Sequence, residues 1–438
     1  MYDMQTFHEH LDPVADLVFW ASIVAGPEPI LGENDQGLPT IVAWEGDTPT
    51  VHLNKDGIYM ATLRYRGGDV TTMEKEERLV YLHRLHQVLK QLGTGWAFLG
   101  EDWHEESRDY PKSQWSNPVA AFLDASRRAL SESGALYEST LSLTLCWKPE
   151  STRKQKWYDG LLMTERKAQG TDTENRLAFI RQVGHLMDLL RSVVPEARWL
   201  NPDEDVTHLA NMVRWERGPL KMPVIPWGLD AQLTSTHFLP GHTPQMGRIL
   251  VNSDPLRLEK YVRPITVKEW PDYLGFTIPA ALQTLPFPYK FTVRCLTLDK
   301  QDSESVLRDY MDKWVQMIWD GWQIIGRLFP SDAADNAASL DEALLDVKDE
   351  RVTNGFCTPV VTIWAETLEE LDARERTVLK LLQGQNLLCR PEDVNACQAL
   401  QGTWAGDLYH GVEMPPIPSL GWAFLLPHAS IYGGPLRD

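Results

Sequence analysis

An α+β fold is what this sequence predicts: a two-lobed α/β sandwich with mixed or antiparallel sheets and helices packed on one face. Three observations predict it. Strand-like and helix-like runs alternate along the chain rather than falling into separate blocks. Both ends repeat the order strand, helix, strand, helix, which raises a duplicated unit. Between them lies a Pro-rich, weakly periodic stretch. At 438 residues, and about 150 residues per domain, two or three domains are expected. The divisions read off are an N-terminal segment with a Gly/Pro-rich insertion (1–50), a first α/β lobe (51–200), an irregular connection of short strands and turns (201–285) and a second α/β lobe (286–438).

Residues 26–50 read as a loop or short hairpin insertion. Val51–Asn54 and Ile58–Arg66 flank an Asp56-Gly57 pair, a hairpin signal between β-rich runs. Leu79, Leu82, Leu85, Leu89 and Leu92 recur at helical spacing, with Thr71 and Glu74 as a capping box and Gly93 as the stop. Trp96–Leu99 is a strand. Asn117 caps a helix with Pro118 in its first turn. Glu138–Trp147 alternates Leu141, Leu143, Leu145 and Trp147 with smaller polar residues, as a strand with one apolar face does. A helix over 173–193 completes the first lobe. In the second lobe, Tyr289–Leu298 is a strand, followed by a helix over 303–328 and a shorter one over 337–347. Gly355–Ala365 is a strand whose Pro359 points to an edge position. Thr367 and Glu370 cap the next helix, Leu387–Cys389 is a short strand, and a last helix covers 391–400.

The charge balance is acidic, net −19. Such a surface repels phosphate backbones, so direct nucleic-acid binding is not expected. The densest basic cluster, Arg153–Lys156, reads as a solvated loop. Five scattered cysteines without a C-x-x-C pair read as reduced, mostly buried thiols rather than a disulfide or zinc framework. Residues 1–12 are polar and acidic, unlike a secretory signal. The apolar run Leu17–Ala25 is far shorter than the ~20 residues that span a bilayer. Seventeen tryptophans is a high count: core packing with partial exposure at domain seams accounts for them, and exposed Trp also serves as an interface anchor, which makes a sizeable protein–protein surface plausible. Trp96 and Trp147 are expected to be largely buried.

The catalytic motifs are conspicuous by their absence. No Gly-Lys-Ser or Gly-Lys-Thr occurs, so backbone amides and a lysine cannot converge on nucleotide phosphates in the P-loop manner. G-x-G-x-x-G, G-x-S-x-G and H-E-x-x-H are missing too. His83 and His86 share a helix face, but no further ligand accompanies them, and surface or seam histidines are the simpler reading. His104-Glu105-Glu106 reads as part of a solvated acidic loop. Asp102 and Glu105 form a carboxylate pair of the kind acid–base catalysis uses, though loop carboxylates are common. No catalytic, cofactor-binding or metal-binding residue is assigned.

An ordered set of segments does carry a resemblance. It comprises Leu53-Asn54-Lys55-Asp56-Gly57, Arg64-Tyr65-Arg66-Gly67-Gly68-Asp69, Leu92-Gly93-Thr94-Gly95-Trp96-Ala97-Phe98, Asp109-Tyr110-Pro111, Phe122–Ala129 and Tyr137–Glu150. Tyr289–Lys300, Asp332–Leu344 and Asn354–Leu387 continue it. Together they resemble the amino-terminal region of the TrbE/VirB/CagE type IV secretion (conjugative transfer) ATPases, most closely the TrbE branch. The resemblance covers most of 50–200 and 285–438. It implies a docking and assembly domain that anchors a motor to the cytoplasmic face of the inner-membrane complex. It implies contacts with small inner-membrane subunits and with other components of the secretion complex, and a homo-oligomer in the full-length protein. The family's motor, with its ATP and magnesium, is expected to follow the aromatic-Gly-Pro segment at Ile431–Pro435. The chain alone is then expected to hold no cofactor and not to hydrolyse ATP by the usual route. The localisation implied is cytoplasmic, peripheral to the bacterial inner membrane. A standalone enzyme with a dispersed, motif-free site is the alternative.

One residue is singled out for docking. On the helix over 303–328, Trp314 and Trp322 join Leu307, Met311, Ile318 and Ile325 on one stripe, whereas Trp319 falls outside it. Trp319 either lies under a neighbouring loop or anchors a partner, since indole is favoured at interface centres.

Overall fold

The computed structural model describes residues 20–33, 39–54, 56–70, 72–107, 110, 114–134, 136–149, 172–213, 219–222, 237–240, 247–250, 258–270, 277–309, 345–410 and 414–429. The expected helix over 303–328 is described only as far as 309; Trp319 and the cluster Arg153–Lys156 lie outside the described residues.

Along the chain the strands are β1 (Trp20–Ala25), β2 (Glu28–Glu33), β3 (Pro39–Glu45), β4 (Val51–Asn54), β5 (Tyr59–Arg66), β6 (Trp96–Glu106), β7 (Tyr137–Trp147), β8 (Glu196–Trp199), β9 (His237–Pro240), β10 (Gly247–Leu250), β11 (Leu258–Glu269), β12 (Tyr289–Thr297), β13 (Asn354–Ala365), β14 (Leu388–Pro391) and β15 (Pro416–Pro418). The helices are α1 (Lys75–Leu89), α2 (Pro118–Glu132), α3 (Asp172–Arg191), α4 (Pro202–Val213), α5 (Ile278–Leu282), α6 (Leu368–Gln383), α7 (Ala396–Gln401) and α8 (Ser419–Leu425). β2 and β3 form a hairpin of their own, within the insertion the sequence marks. The other thirteen strands build one sheet of order β1-β4-β5-β7-β6-β12-β13-β11-β10-β9, with β8 also on β5, β14 on β11 and β15 on β13. Its strand pairs are antiparallel.

That order is a palindrome. The unit β5-α1-β6-α2-β7-α3-β8 has the spatial order β8-β5-β7-β6; the unit β11-α5-β12-β13-α6-β14 has the order β14-β11-β13-β12. Each is a ferredoxin-like βαββαβ arrangement, so the two units raised by the rhythm of the sequence share one strand order. Each unit also carries a two-strand extension on its first strand, β1-β4 in one case and β9-β10 in the other. The units join through β6 and β12, paired from Ala97–Leu296 to His104–Tyr289. The twelve-residue strand β11 falls where the sequence promised only short strands and turns.

Helices cover the sheet unequally. α1, α3, α5, α6 and α8 bury Tyr59, Leu63, Phe98, Leu143, Phe291, Val293 and Ile363 on one face. On the other face, α4 and the segment around α7 cover Met60, Leu99, Trp103, Val262 and Trp364. The expectation of helices on one face thus describes the larger layer, and a smaller second layer completes a sandwich.

Local chemistry explains the boundaries. Asn54 accepts the amides of Asp56 and Ile58 at 3.0 and 2.8 Å, and Gly57 takes φ +74°, so the Asp-Gly turn forms. Asn117 caps α2 by accepting the Val119 amide at 2.9 Å, and Thr367 caps α6 by accepting that of Glu370. At α1 the cap is Glu74, reciprocally bonded with Glu77, three residues beyond the Thr71 that the spacing of the sequence favours.

Three further readings are corrected. Pro359 is not on an edge: β13 lies between β12 and β11. It is tolerated because its missing N–H falls where the partner on one side changes, from β11 at Val360 to residues 415–418 at Cys357. Cys295 and Cys357 are not free thiols but a buried disulfide, because the β12–β13 register sets them directly opposite, Cα atoms 4.2 Å apart. Spacing along the chain cannot reveal a cross-strand pair. Cys146, Cys389 and Cys397 are free. His104-Glu105-Glu106 is not a loop but the end of β6.

Candidate functional site: an outward-facing apolar helix

The histidine and carboxylate candidates resolve into core chemistry. His83 is exposed, whereas His86 is buried with Nε2 2.9 Å from the Ser419 hydroxyl. Burial, then the nearby Lys90 and His83, push His86 down to about 4. Among the described residues no group of three or more His, Cys, Asp or Glu is placed to hold a metal. Asp102 and Glu105 are three residues apart on a strand and point to opposite faces, so they make no catalytic pair. His104 stacks on Tyr289 at 4.7 Å and on Tyr137 at 5.2 Å. Asp102 is fully buried and accepts the Tyr289 hydroxyl at 3.1 Å; burial pushes it up to about 6. Trp96 is buried as expected, while Trp147 is only half-buried, stacked on Trp96 at 5.8 Å.

Under the second layer lies a polar seam that no motif announces. Lys290 Nζ is 2.7 Å from Glu101 Oε1 and donates to the Thr403 carbonyl at 3.0 Å; His208 Nε2 is 3.0 Å from Glu101 Oε2. Burial alone would raise Glu101, but Lys290 and His208 hold it below the usual carboxylate range. Arg294 donates to the Asp407 carbonyl at 3.0 Å, and the Asp407 carboxylate accepts from His410 at 2.7 Å. His52 and Asp205, both wholly buried, hydrogen-bond β4 to α4. His52–Asp205 and Glu101–His208 tie sheet strands to α4, and Lys290–Thr403 and Arg294–Asp407 tie β12 to the 400–410 segment. Paired in this way, the charges hold a cover down rather than face a cavity.

An exposed apolar face lies on α2. At about 100° per residue, Phe122, Ser126, Val119, Leu130 and Leu123 fall within a sector of about 100°. The four apolar members are exposed: Val119 65%, Phe122 72%, Leu123 56% and Leu130 51%. Asp124, Arg128 and Ser131 lie on the opposite side, toward the body. Asp124 accepts from the Tyr110 hydroxyl at 2.9 Å and from Arg128 at 3.2 Å; Arg128 also lies 5.5 Å over the Tyr110 ring, and Ser131 is buried. The helix is therefore amphipathic in reverse: its polar side is the more covered one and its apolar side faces out. A surface helix of a globular protein ordinarily does the opposite. Trp115, just before it, and Leu136, just before β7, are exposed as well. The sequence marked Phe122–Ala129 only as one segment of a family pattern. Its wide apolar stripe was legible; which way the stripe faced was not.

No helix among the described residues is long and apolar enough to cross a membrane. The family model described as type IV secretion system ATPase VirB4/TrbE, N-terminal domain, matches residues 50–155, the stretch from β4 through β7 that contains α2. The conjugal transfer protein TrbE of Rhizobium radiobacter is 24% identical over 411 residues, 88% of this chain and 48% of that protein. Sinorhizobium fredii (strain NBRC 101917 / NGR234) has a probable conjugal transfer protein TrbE in two numbered pieces. The second piece is 24% identical over 241 residues, 53% of this chain and 34% of that protein. This chain thus spans half or less of the length of the Rhizobium protein and of that second piece. The first piece is 31% identical over 108 residues, 24% of this chain and 72% of that protein. On this likeness, the chain belongs to the VirB4/TrbE family of type IV secretion and conjugal-transfer proteins, in its amino-terminal region.

Proposed function

We propose that this chain is a docking and assembly domain of a conjugal-transfer ATPase, seated at the cytoplasmic face of the inner membrane among the components of a type IV secretion complex. The small inner-membrane subunits of that complex are its expected neighbours, and homo-oligomerisation and ATP hydrolysis belong to the longer protein. The observation that carries the reading is α2, whose apolar residues stand exposed while its covered side is the polar one. An exposed apolar face rimmed by polar residues marks an interaction site. Trp319 stays a second candidate anchor on the same reading. The test is co-purification from membranes of cells that carry the transfer system. The wild-type chain is expected to enrich its small inner-membrane subunits, and a Phe122→Asp, Leu123→Asp variant to lose most of that enrichment. Equal enrichment by a folded variant would remove α2 from the docking surface; no enrichment by the wild type would overturn the reading.

A further inference from the structure

We propose that α2 seats on the lipid surface itself, with Phe122, Leu123, Val119 and Leu130 in the boundary between headgroups and acyl chains. The proposal rests on the docking reading and names what its outward helix meets. The arrangement is that of an interfacial helix, with Phe and Leu on one side and charge on the other.

Charge decides between occupants. Of the charged residues on α2, Asp124, Arg128 and Glu132 lie away from the apolar sector, and Asp124 is engaged by Tyr110 and Arg128. Only Arg127 stands at the sector's edge, exposed. The outward face therefore offers apolar area and one cation, complementary to acyl chains beneath lipid phosphates. A second copy of this chain fits worse, since it presents no acid on this face to meet the other's Arg127. Area points the same way. Four partly exposed side chains present on the order of 400 Å², about half of what one partner gives a stable protein interface. A bilayer needs no matching shape, and such a helix yields a reversible contact comparable to a single acyl chain.

The experiment is flotation of the purified chain with phosphatidylcholine vesicles and with vesicles containing phosphatidylglycerol. The wild type is expected to float with both. The Phe122→Asp, Leu123→Asp variant should lose more than about tenfold of the floated fraction, with its melting temperature unchanged. Arg127→Glu should weaken flotation on the anionic vesicles by about fivefold or more and leave that on phosphatidylcholine within about twofold. Failure of the wild type to float, or flotation indifferent to the double variant, overturns the proposal. If that happens while the small subunits still co-purify through α2, the partner on this face is a protein and the docking reading stands. An Arg127→Glu effect equal on both vesicles overturns the headgroup contact.

Discussion

Asp102 is the residue at which this fold works against itself. It sits on β6 at the seam of the two units, fully buried, with the side chains of Ser139, Tyr289 and Gln283 hydrogen-bonded to it and no basic partner among the described residues. Burial raises its carboxyl from 3.8 to about 6. A raised acid favours the protonated form in the folded state. Its contribution is therefore favourable in relative terms below pH ~4 and is lost as pH rises through about 6. At pH ~7.5 the ionised form costs about 3 kcal/mol, from about 2 pKa units at about 1.36 kcal/mol each. Asp102→Asn keeps an acceptor for Tyr289 without the charge. It should stabilise the protein by up to about 3 kcal/mol at pH ~7.5 and by only about 1 kcal/mol at pH ~4.5, read from urea midpoints at the two values. A gain that does not shrink on acidification would mean that Asp102 is not the titrating group. Glu101, its neighbour in sequence, points to the other face and meets Lys290 and His208 there. One step along a strand thus separates a carboxylate that burdens the fold from one that fastens it.

Among the elements, α2 and α3 make a controlled contrast. Phe179 of α3 is wholly buried, with Trp96 at 5.6 Å, Tyr59 at 5.9 Å and Trp147 at 6.4 Å. Phe179→Ala should cost about 3–5 kcal/mol. Phe122→Ala on α2 should stay within about 0.5 kcal/mol, because that ring stands in the open. Urea unfolding of the two variants checks this; a cost for Phe122→Ala near that of Phe179→Ala would place the α2 face in the core. The same contrast shows what the sequence can say. Caps and stripes located α1, α2 and α6, because an amide left over at a helix start must be met by a nearby side chain such as Asn117 or Thr367. Facing is a tertiary property: Phe122 and Phe179 look alike in a helical wheel. β11 escaped notice because Arg263, Pro264 and Lys268 break its apolar alternation. Arg263 is nonetheless satisfied by Asp372 and Glu375 of α6, and Lys268 by Glu392. The polar seam was illegible for the same reason, since Glu101 and Lys290 become neighbours only when β6 pairs with β12.

At the scale of the whole molecule, one segment spans the palindrome. β15 adds to β13 of the second unit, and α8 follows over the seam with Trp422 buried edge-on to Phe98 of β6 at 5.9 Å. Trp422 donates to the Ile417 carbonyl at 2.9 Å. Beyond it Leu426 fills the space over Gly100, where a Cβ would collide with Leu426 Cδ1. Pro427 and His428 then offer their carbonyls to Tyr65 and Tyr81 of the first unit. Gly67 meets His428 so closely that a Cβ there would overlap the His428 carbonyl. The strap therefore starts on one unit, crosses the joint and ends on the other. Two repeats joined only edge to edge could unfold in turn, as domains do. With a continuous sheet and a strap across it, loss of one unit strips the other of both β-pairing and apolar cover. The two units should accordingly unfold together, with far-UV circular dichroism and tryptophan fluorescence tracing one urea transition. Trp422→Ala removes the largest wholly buried side chain of the strap and should lower that shared stability by about 3–5 kcal/mol. Resolution of the wild-type curve into two steps, or a variant that shifts one probe and leaves the other in place, would show that the units stand independently and that the strap belongs to one of them.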